Sequence, residues 1–204
     1  TQGVSSAASD VYKRQLLGRS VADLVVCLPQ NLHDLIRSSG FEGGLCSPDE
    51  VDSVACDAWV PLGSLPALFS VSPRDSKYDF HYIKPSAEKL RFWRDLRSRL
   101  DAPLVAICWQ GRPEAERLVL RGRSMELELF SPLTRVEAIS LLSLQKFSGA
   151  DQLERCSFRS RFVDWQGQFD RVSAFSDVAA AMAACDLIIT VDTYVAHLAG
   201  AMGL

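Results

Sequence analysis

Two short stretches of this chain are apolar almost throughout, and each leads into or out of a helical pattern, which leaves few folds open to it. Residues 104–109 read L-V-A-I-C-W and residues 187–191 read L-I-I-T-V. Neither alternates apolar with polar, as a strand with one wet face must, so each predicts a strand covered on both faces. Ahead of the first, from Ser86, the residues Leu90, Trp93, Leu96 and Leu100 recur at helical spacing with Arg and Lys between them. That spacing predicts an amphipathic helix ending near Pro103. Behind the second, residues 193–202 predict another helix. Strands and helices that alternate through short loops imply an α/β fold on a parallel sheet, with ligands beyond the carboxyl ends of the strands.

The rest of the chain fits the same scheme. Residues 21–28, V-A-D-L-V-V-C-L, predict an opening strand before Pro29, followed by a short helix that Gly40 closes. Residues 61–69 read as a Pro-punctuated connection and residues 81–85 as a linker. Ser131 opens a second helical pattern, residues 139–144 predict a strand and 145–149 a loop; residues 165–169 read as loop with a strand position before them. Ser176 is expected to cap a helix through Cys185, because Val178, Met182 and Cys185 share a face.

Composition removes several function classes. Lys and Arg number 22 against 25 Asp and Glu, a net charge of -3 without basic runs, so nothing recruits nucleic acid or anionic membrane by bulk charge. Apolar runs span only a handful of residues, far below the roughly 20 that cross a bilayer, so no transmembrane segment is expected. The cysteines at 27, 46, 56, 108, 156 and 185 form no C-x-x-C pair and have no His at ligand spacing. That argues against zinc or a disulfide framework and for a reducing, cytoplasmic setting.

Residues 5–15, S-S-A-A-S-D-V-Y-K-R-Q, resemble the in-frame translation of a transposon-type sequencing adapter, so residues 1–15 are set aside from fold reasoning. At the other end, Gly203 would hand the last helix to another strand, so the chain is expected to be cut short at both ends.

The most informative stretch is L-I-I-T-V-D-T-Y-V-A-H-L-A-G-A-M-G, residues 187–203. Its strand delivers Asp192 and Thr193 where a helix begins, and free N–H groups and the helix dipole favour a phosphate there. His197 lies one turn behind Thr193 on the same face. Taken in isolation, Asp192 or Thr193 is a plain helix cap and His197 a satisfied buried histidine.

The stretch is not isolated. It resembles the signature V-D-T-x-x-A-H-L-A-G-A-L-G from the C-terminal domain of heptosyltransferase-like and tetratricopeptide-repeat-linked glycosyltransferases, including relatives of O-GlcNAc transferases. F-S-D-V-A-A-A-M-A-A-C-D at 175–186 resembles that family's F-x-D-T-A-A-L-L-A-A-L-D, and residues 143–146 its S-L-Q-K. Residues 109–113 resemble W-x-G-N-P, Arg123-Ser124 falls where the family has R-S, and residues 61–69 resemble P-L-L-S-L-P-A-L-F. These ordered matches cover most of residues 61–203.

The resemblance implies a GT-B architecture, two Rossmann-like domains with parallel sheets facing a cleft. Residues 16–85 would be part of the acceptor-side domain and residues 86–204 an incomplete nucleotide-sugar-binding domain. It implies an inverting, metal-independent transfer from a nucleotide-diphosphate sugar to a hydroxyl of a protein, lipid or glycan, with no cofactor, and it leaves open whether a repeat domain lies upstream in the full-length protein. Without a metal, the leaving diphosphate needs protein cations and helix N–H groups. Lys146 is the first such residue, the helix start at Thr193 the second and Arg123 the third, each charge being otherwise a solvated surface group. Asp192 would meet sugar hydroxyls, His197 support the donor pocket, and Gly111 let backbone approach the ligand.

Arg112 replaces the family's Asn, and residues 114–122 lack its Asn-Asp pair, so no contacts carry over onto that loop. The Gly-rich segment with the acidic general base should precede Val21 and is absent, so the catalytic base is unknown and the fragment itself is expected to be inactive. Two rivals stand beside this reading: a non-catalytic binding or scaffold module of the same fold, and a Rossmann dehydrogenase. No G-x-G-x-x-G follows any strand, which ranks the dehydrogenase last.

Overall fold

A computed structural model describes residues 23–70, 81–118, 122–169 and 174–204. The adapter-like residues 1–15, positions 21 and 22 of the expected first strand, and positions 119–121 of the altered loop lie outside the described residues.

The chain opens with β1 (Val25–Cys27), α1 (His33–Ser38) and β2 (Gly44–Cys46). β1 and β2 pair in parallel, Val25 opposite Gly44 and Cys27 opposite Cys46. Residues 61–69, expected as a connection, hold a 3-10 turn and the short helix α2 (Leu65–Leu68). Pro66 sits in its first turn, where a missing N–H costs nothing, so the proline that reads as a breaker is compatible with a start.

The second part runs α3 (Ala87–Ser98), β3 (Leu104–Cys108), α4 (Pro113–Leu118), β4 (Ser140–Ser143), α5 (Gln152–Arg155), α6 (Ala174–Met182), β5 (Leu187–Thr190) and α7 (Tyr194–Met202). The α-helical pattern expected from Ser131 is instead part of a 3-10 stretch, Leu127–Arg135, that holds Pro132 inside it, where an α-helix would lose an i→i−4 hydrogen bond. Ahead of residues 165–169, Phe162 makes a single parallel bridge to Leu141.

β3 is the centre of a three-stranded parallel sheet in the order β4-β3-β5. Every β3 residue is buried, and its side chains alternate between two cores. Val105 and Ile107 join Trp109, Leu127, Phe130, Leu153 and Phe158 on one face. Leu104, Ala106 and Cys108 join Trp93, Leu96, Met182, Val195 and Leu198 on the other. Val26, Leu28, Leu35 and Ile36 of the opening unit enter this second core, so that unit packs against the same helices. The α/β class with parallel sheets is as the apolar strands imply, and both faces are covered at β3. β5, expected to be covered on both faces as well, is corrected to a part-buried edge strand with Leu187 53% exposed.

Polar ties fix the helices on the sheet. Asp186 accepts from the Leu104 N–H at 2.8 Å and from Arg97 Nε at 2.9 Å, which joins α3 to the starts of β3 and β5. Lys89 of α3 pairs with the buried Asp177 of α6 at 3.2 Å. The linker residues 81–85 do not hang free: Ile83 is buried and donates its N–H to the Ala201 carbonyl.

The expected cap at Ser176 is also corrected. Ser176 is not a cap; α6 begins before it, at Ala174, and the Ser176 hydroxyl is buried without a partner among the described residues. The first turn is placed by Phe175, whose ring meets that of Tyr194 edge-on at 5.4 Å.

Candidate functional site

The carboxyl edge of the larger sheet receives three loops, and a single amide joins two of them. Gln145 follows β4 and is 5% exposed. Its Oε1 accepts from the Trp109 and Gln110 N–H groups, each at 3.0 Å. Its Nε2 donates to the carbonyls of Gln110 at 2.9 Å and Ser148 at 2.8 Å. The loop after β3 thus has its backbone groups satisfied by a side chain from the loop after β4.

Gly111, on the β3 loop, donates its N–H to Ser124 Oγ at 2.9 Å, and Ser124 in turn donates to the Glu116 carboxylate. The Arg123 guanidinium lies against Gly111 so closely that a Cβ there would stand 2.6 Å from Nε. A Cβ there would push the guanidinium aside, so the glycine lets Arg123 lie where it does. Arg123 Nε pairs with Glu116 Oε1 at 3.4 Å, and Nη1 reaches the Asp192 carbonyl, also at 3.4 Å. Its side chain is 11% exposed, and Nη2 is buried with no partner among the described residues.

Asp192 and Thr193 leave β5 and start α7. Thr193 is buried and extended, and its Oγ1 accepts from the Val195 N–H at 3.3 Å, so the expected cap is present. The same oxygen is 3.2 Å from Thr190 Oγ1 and 3.7 Å from Cys108 Sγ. Burial pushes the Cys108 thiol up, and the hydrogen bonds to Thr193 and Thr190 offset part of that. His197 is half exposed, with Nε2 at 3.7 Å from Asp192 Oδ1, a loose pair at the surface rather than a satisfied buried histidine.

Five of the six expected residues therefore gather. Arg123 touches Gly111 and the Asp192 backbone, and Asp192 leads to Thr193 and His197. Lys146 stands apart. It leaves β4, one strand removed from β5, so the two strand ends are about 10 Å apart. Its ammonium lies 4.8 Å from the centre of the Phe169 ring, which itself packs on Trp93.

Three contributors carry no expectation from sequence. Gln145 sits in the quoted S-L-Q-K, next to the lysine that drew the attention; Ser124 and Glu116 hold Gly111 and Arg123. The signal for Gln145 was an amide directly after an apolar strand, where an unpaired side chain would be costly.

Beside Gln110 a cleft of about 550 Å³ opens between residues 126–128 and α5. Glu126, Glu128 and Asp151 line it with Arg155 as the counter-charge. Hydrogen bonds from the Ser157 hydroxyl and N–H hold the Glu128 carboxyl below its usual range.

At this edge Arg123 Nη1 meets the Asp192 carbonyl, one residue before the Thr193 cap of α7, and Nη2 is buried without a partner among the described residues. Among the described residues no helix is long and apolar enough to cross a membrane, and no group of three or more His, Cys, Asp or Glu side chains is placed to hold a metal ion. Comparisons with protein-family models, curated proteins and solved structures return no match.

Proposed function

We propose that this chain is the donor-binding part of a GT-B glycosyltransferase, one that transfers a sugar from a nucleotide diphosphate to a hydroxyl of a protein, lipid or glycan in the cytoplasm. One observation carries the reading furthest: the Arg123 guanidinium, pressed on Gly111 and oriented by Glu116, reaches the backbone at the start of α7 with Nη2 still lacking an acceptor. A diphosphate oxygen is the acceptor such a nitrogen takes, and the start of α7 adds its dipole. As the glycosidic bond breaks, charge builds on that diphosphate, and a cation already fixed in place stabilises it without reorganising. The ordered motifs from residue 61 to 203 support the same assignment. Lys146 then serves the outer phosphate or the sugar from across β3, and the transfer is inverting and metal-independent, as the resemblance implies.

Titration calorimetry with uridine, guanosine and adenosine diphosphates tests this. At least one should bind, and Arg123→Ala should weaken it about 10- to 100-fold, the span of a charge-assisted pair. Gly111→Ala should do the same by displacing the guanidinium. No binding by the parent chain ends the proposal. The alternative, a non-catalytic module of the same fold, draws on the Glu116 carboxylate, which already neutralises part of Arg123. Donor hydrolysis or sugar transfer that disappears in Lys146→Ala removes that alternative.

A further inference from the structure

We propose that Cys27 and Cys46 are an oxidisable dithiol, a reversible modification site that a peroxide converts to a disulfide joining β1 to β2. The two residues are register partners at the carboxyl ends of neighbouring parallel strands. Side chains at partnered positions leave a sheet on the same face, and adjacent strands run about 5 Å apart, within the Cα separation that a disulfide spans. The ladder holds them in place, because the next hydrogen bond, Leu28 N–H to the Cys46 carbonyl at 2.9 Å, lies directly beyond the pair.

The two sulfurs differ in access. Cys46 is buried and Cys27 half buried, so a small oxidant meets Cys27 first while Cys46 waits beside it. Burial, then Cys27, then Glu50 push the Cys46 thiol up. The other four cysteines have different surroundings. Cys108 faces Gln145 and Thr193, Cys156 and Cys185 donate to helix carbonyls, and Cys56 is exposed.

The steps balance with hydrogen peroxide as the oxidant. The Cys27 sulfur attacks one peroxide oxygen, the O–O bond breaks, and the departing hydroxide leaves as water with the thiol proton, giving a sulfenic acid. The Cys46 sulfur then attacks the sulfenic sulfur, the S–O bond breaks, and a second water carries off the oxygen and the Cys46 proton. Two thiols and one peroxide become one disulfide and two waters. A dithiol reductant reverses the change by exchange.

The experiment treats the full chain with equimolar hydrogen peroxide, blocks remaining thiols and maps non-reduced peptides by mass. Cleavage after Arg37 and Glu50 puts Cys27, Cys46 and Cys56 on three different peptides. Expected is a joined Cys27–Cys46 peptide lacking the two thiol hydrogens in most molecules, which dithiothreitol separates. In Cys46→Ser, the Cys27 sulfenic acid should persist long enough for capture by dimedone. The parent map needs no variant, so misfolding of Cys46→Ser leaves the test intact. Cys27 carried on to the sulfinic acid with Cys46 still a thiol, Cys27 or Cys46 joined to Cys56 instead, or both left reduced while Cys56 reacts would each overturn the proposal.

Discussion

Removing the Gln145 side chain should cost more than its place in a loop implies. Gln145→Ala deletes five hydrogen bonds at a position 5% exposed, two from N–H groups, a weak one from the Cys108 thiol and two to carbonyls. A buried N–H left without an acceptor costs about 1–3 kcal/mol. Trp109 is fully buried and its N–H takes the upper part of that range; the Gln110 N–H and both carbonyls are recovered in part by water entering the vacated space. The sum is about 3 kcal/mol, read as a lower urea midpoint with an unchanged slope, followed by tryptophan fluorescence. Gln145→Glu separates the two halves of the clamp. The carboxylate keeps both N–H groups but turns a second oxygen toward the carbonyls of Gln110 and Ser148. Burial and those carbonyls favour the protonated form, so its folded pKa rises above the ordinary value of about 4.3. With the folded value raised, the variant is closest to the parent below about pH 4 and loses stability as pH climbs through the folded pKa. An alanine variant within about 0.5 kcal/mol of the parent, or a glutamate variant whose deficit ignores pH, would refute the clamp.

Two further outcomes follow from the ends of the helices. Gly203 closes α7 at φ +70°, and a Cβ there would stand 2.1 Å from the His81 ring, whose Nδ1 is bonded to the Met202 carbonyl. Gly203→Ala should cost about 1 kcal/mol for the left-handed backbone and more for displacing His81, a fall of several degrees in calorimetric Tm; an unchanged Tm counts against the contact. Asp186 is held below the ordinary carboxylate range by the Leu104 N–H first and by Arg97 next. Its folded pKa being depressed, its contribution is present above about pH 4 and lost as pH falls through the folded value. Asp186→Asn should be less stable by about 1 kcal/mol at pH 7, a modest figure because the carboxylate is 48% exposed, and equal to the parent near pH 2; a gap independent of pH defeats this assignment.

The elements legible in the sequence are those whose burial is written locally. β3 is buried at every residue, α3 buries Trp93 and Leu96 at helical spacing, and α7 has both its Thr193 cap and its closing glycine. β2 and α5 were not legible, because three residues of G-L-C or four of Q-L-E-R carry no period. Ser176 shows the opposite failure. A serine ahead of an apolar face reads as a cap, yet the position of α6 is set by an aromatic contact from Phe175 to a residue 19 places on, Tyr194, which no local rule records.

The site was legible in place and misweighted in role. Motifs pointed to the loops at the carboxyl edge, where five of the six expected residues meet. Charge points to Lys146, while the group that builds the edge is its uncharged neighbour, whose N–H partners lie 35 and 36 places back. The geometry shifts the balance between the cations as well. A lysine over an aromatic ring must turn its flexible stem to follow a ligand, whereas the Arg123 fork is already ordered by Gly111, Glu116 and the Asp192 carbonyl. The entropy of fixing that side chain is spent on folding and not on binding, so under the proposed function more of the phosphate affinity rests on Arg123 than on Lys146. Measured side by side, Arg123→Ala should therefore lose more nucleotide affinity than Lys146→Ala, and the reverse order would return the phosphate to the far side of β3.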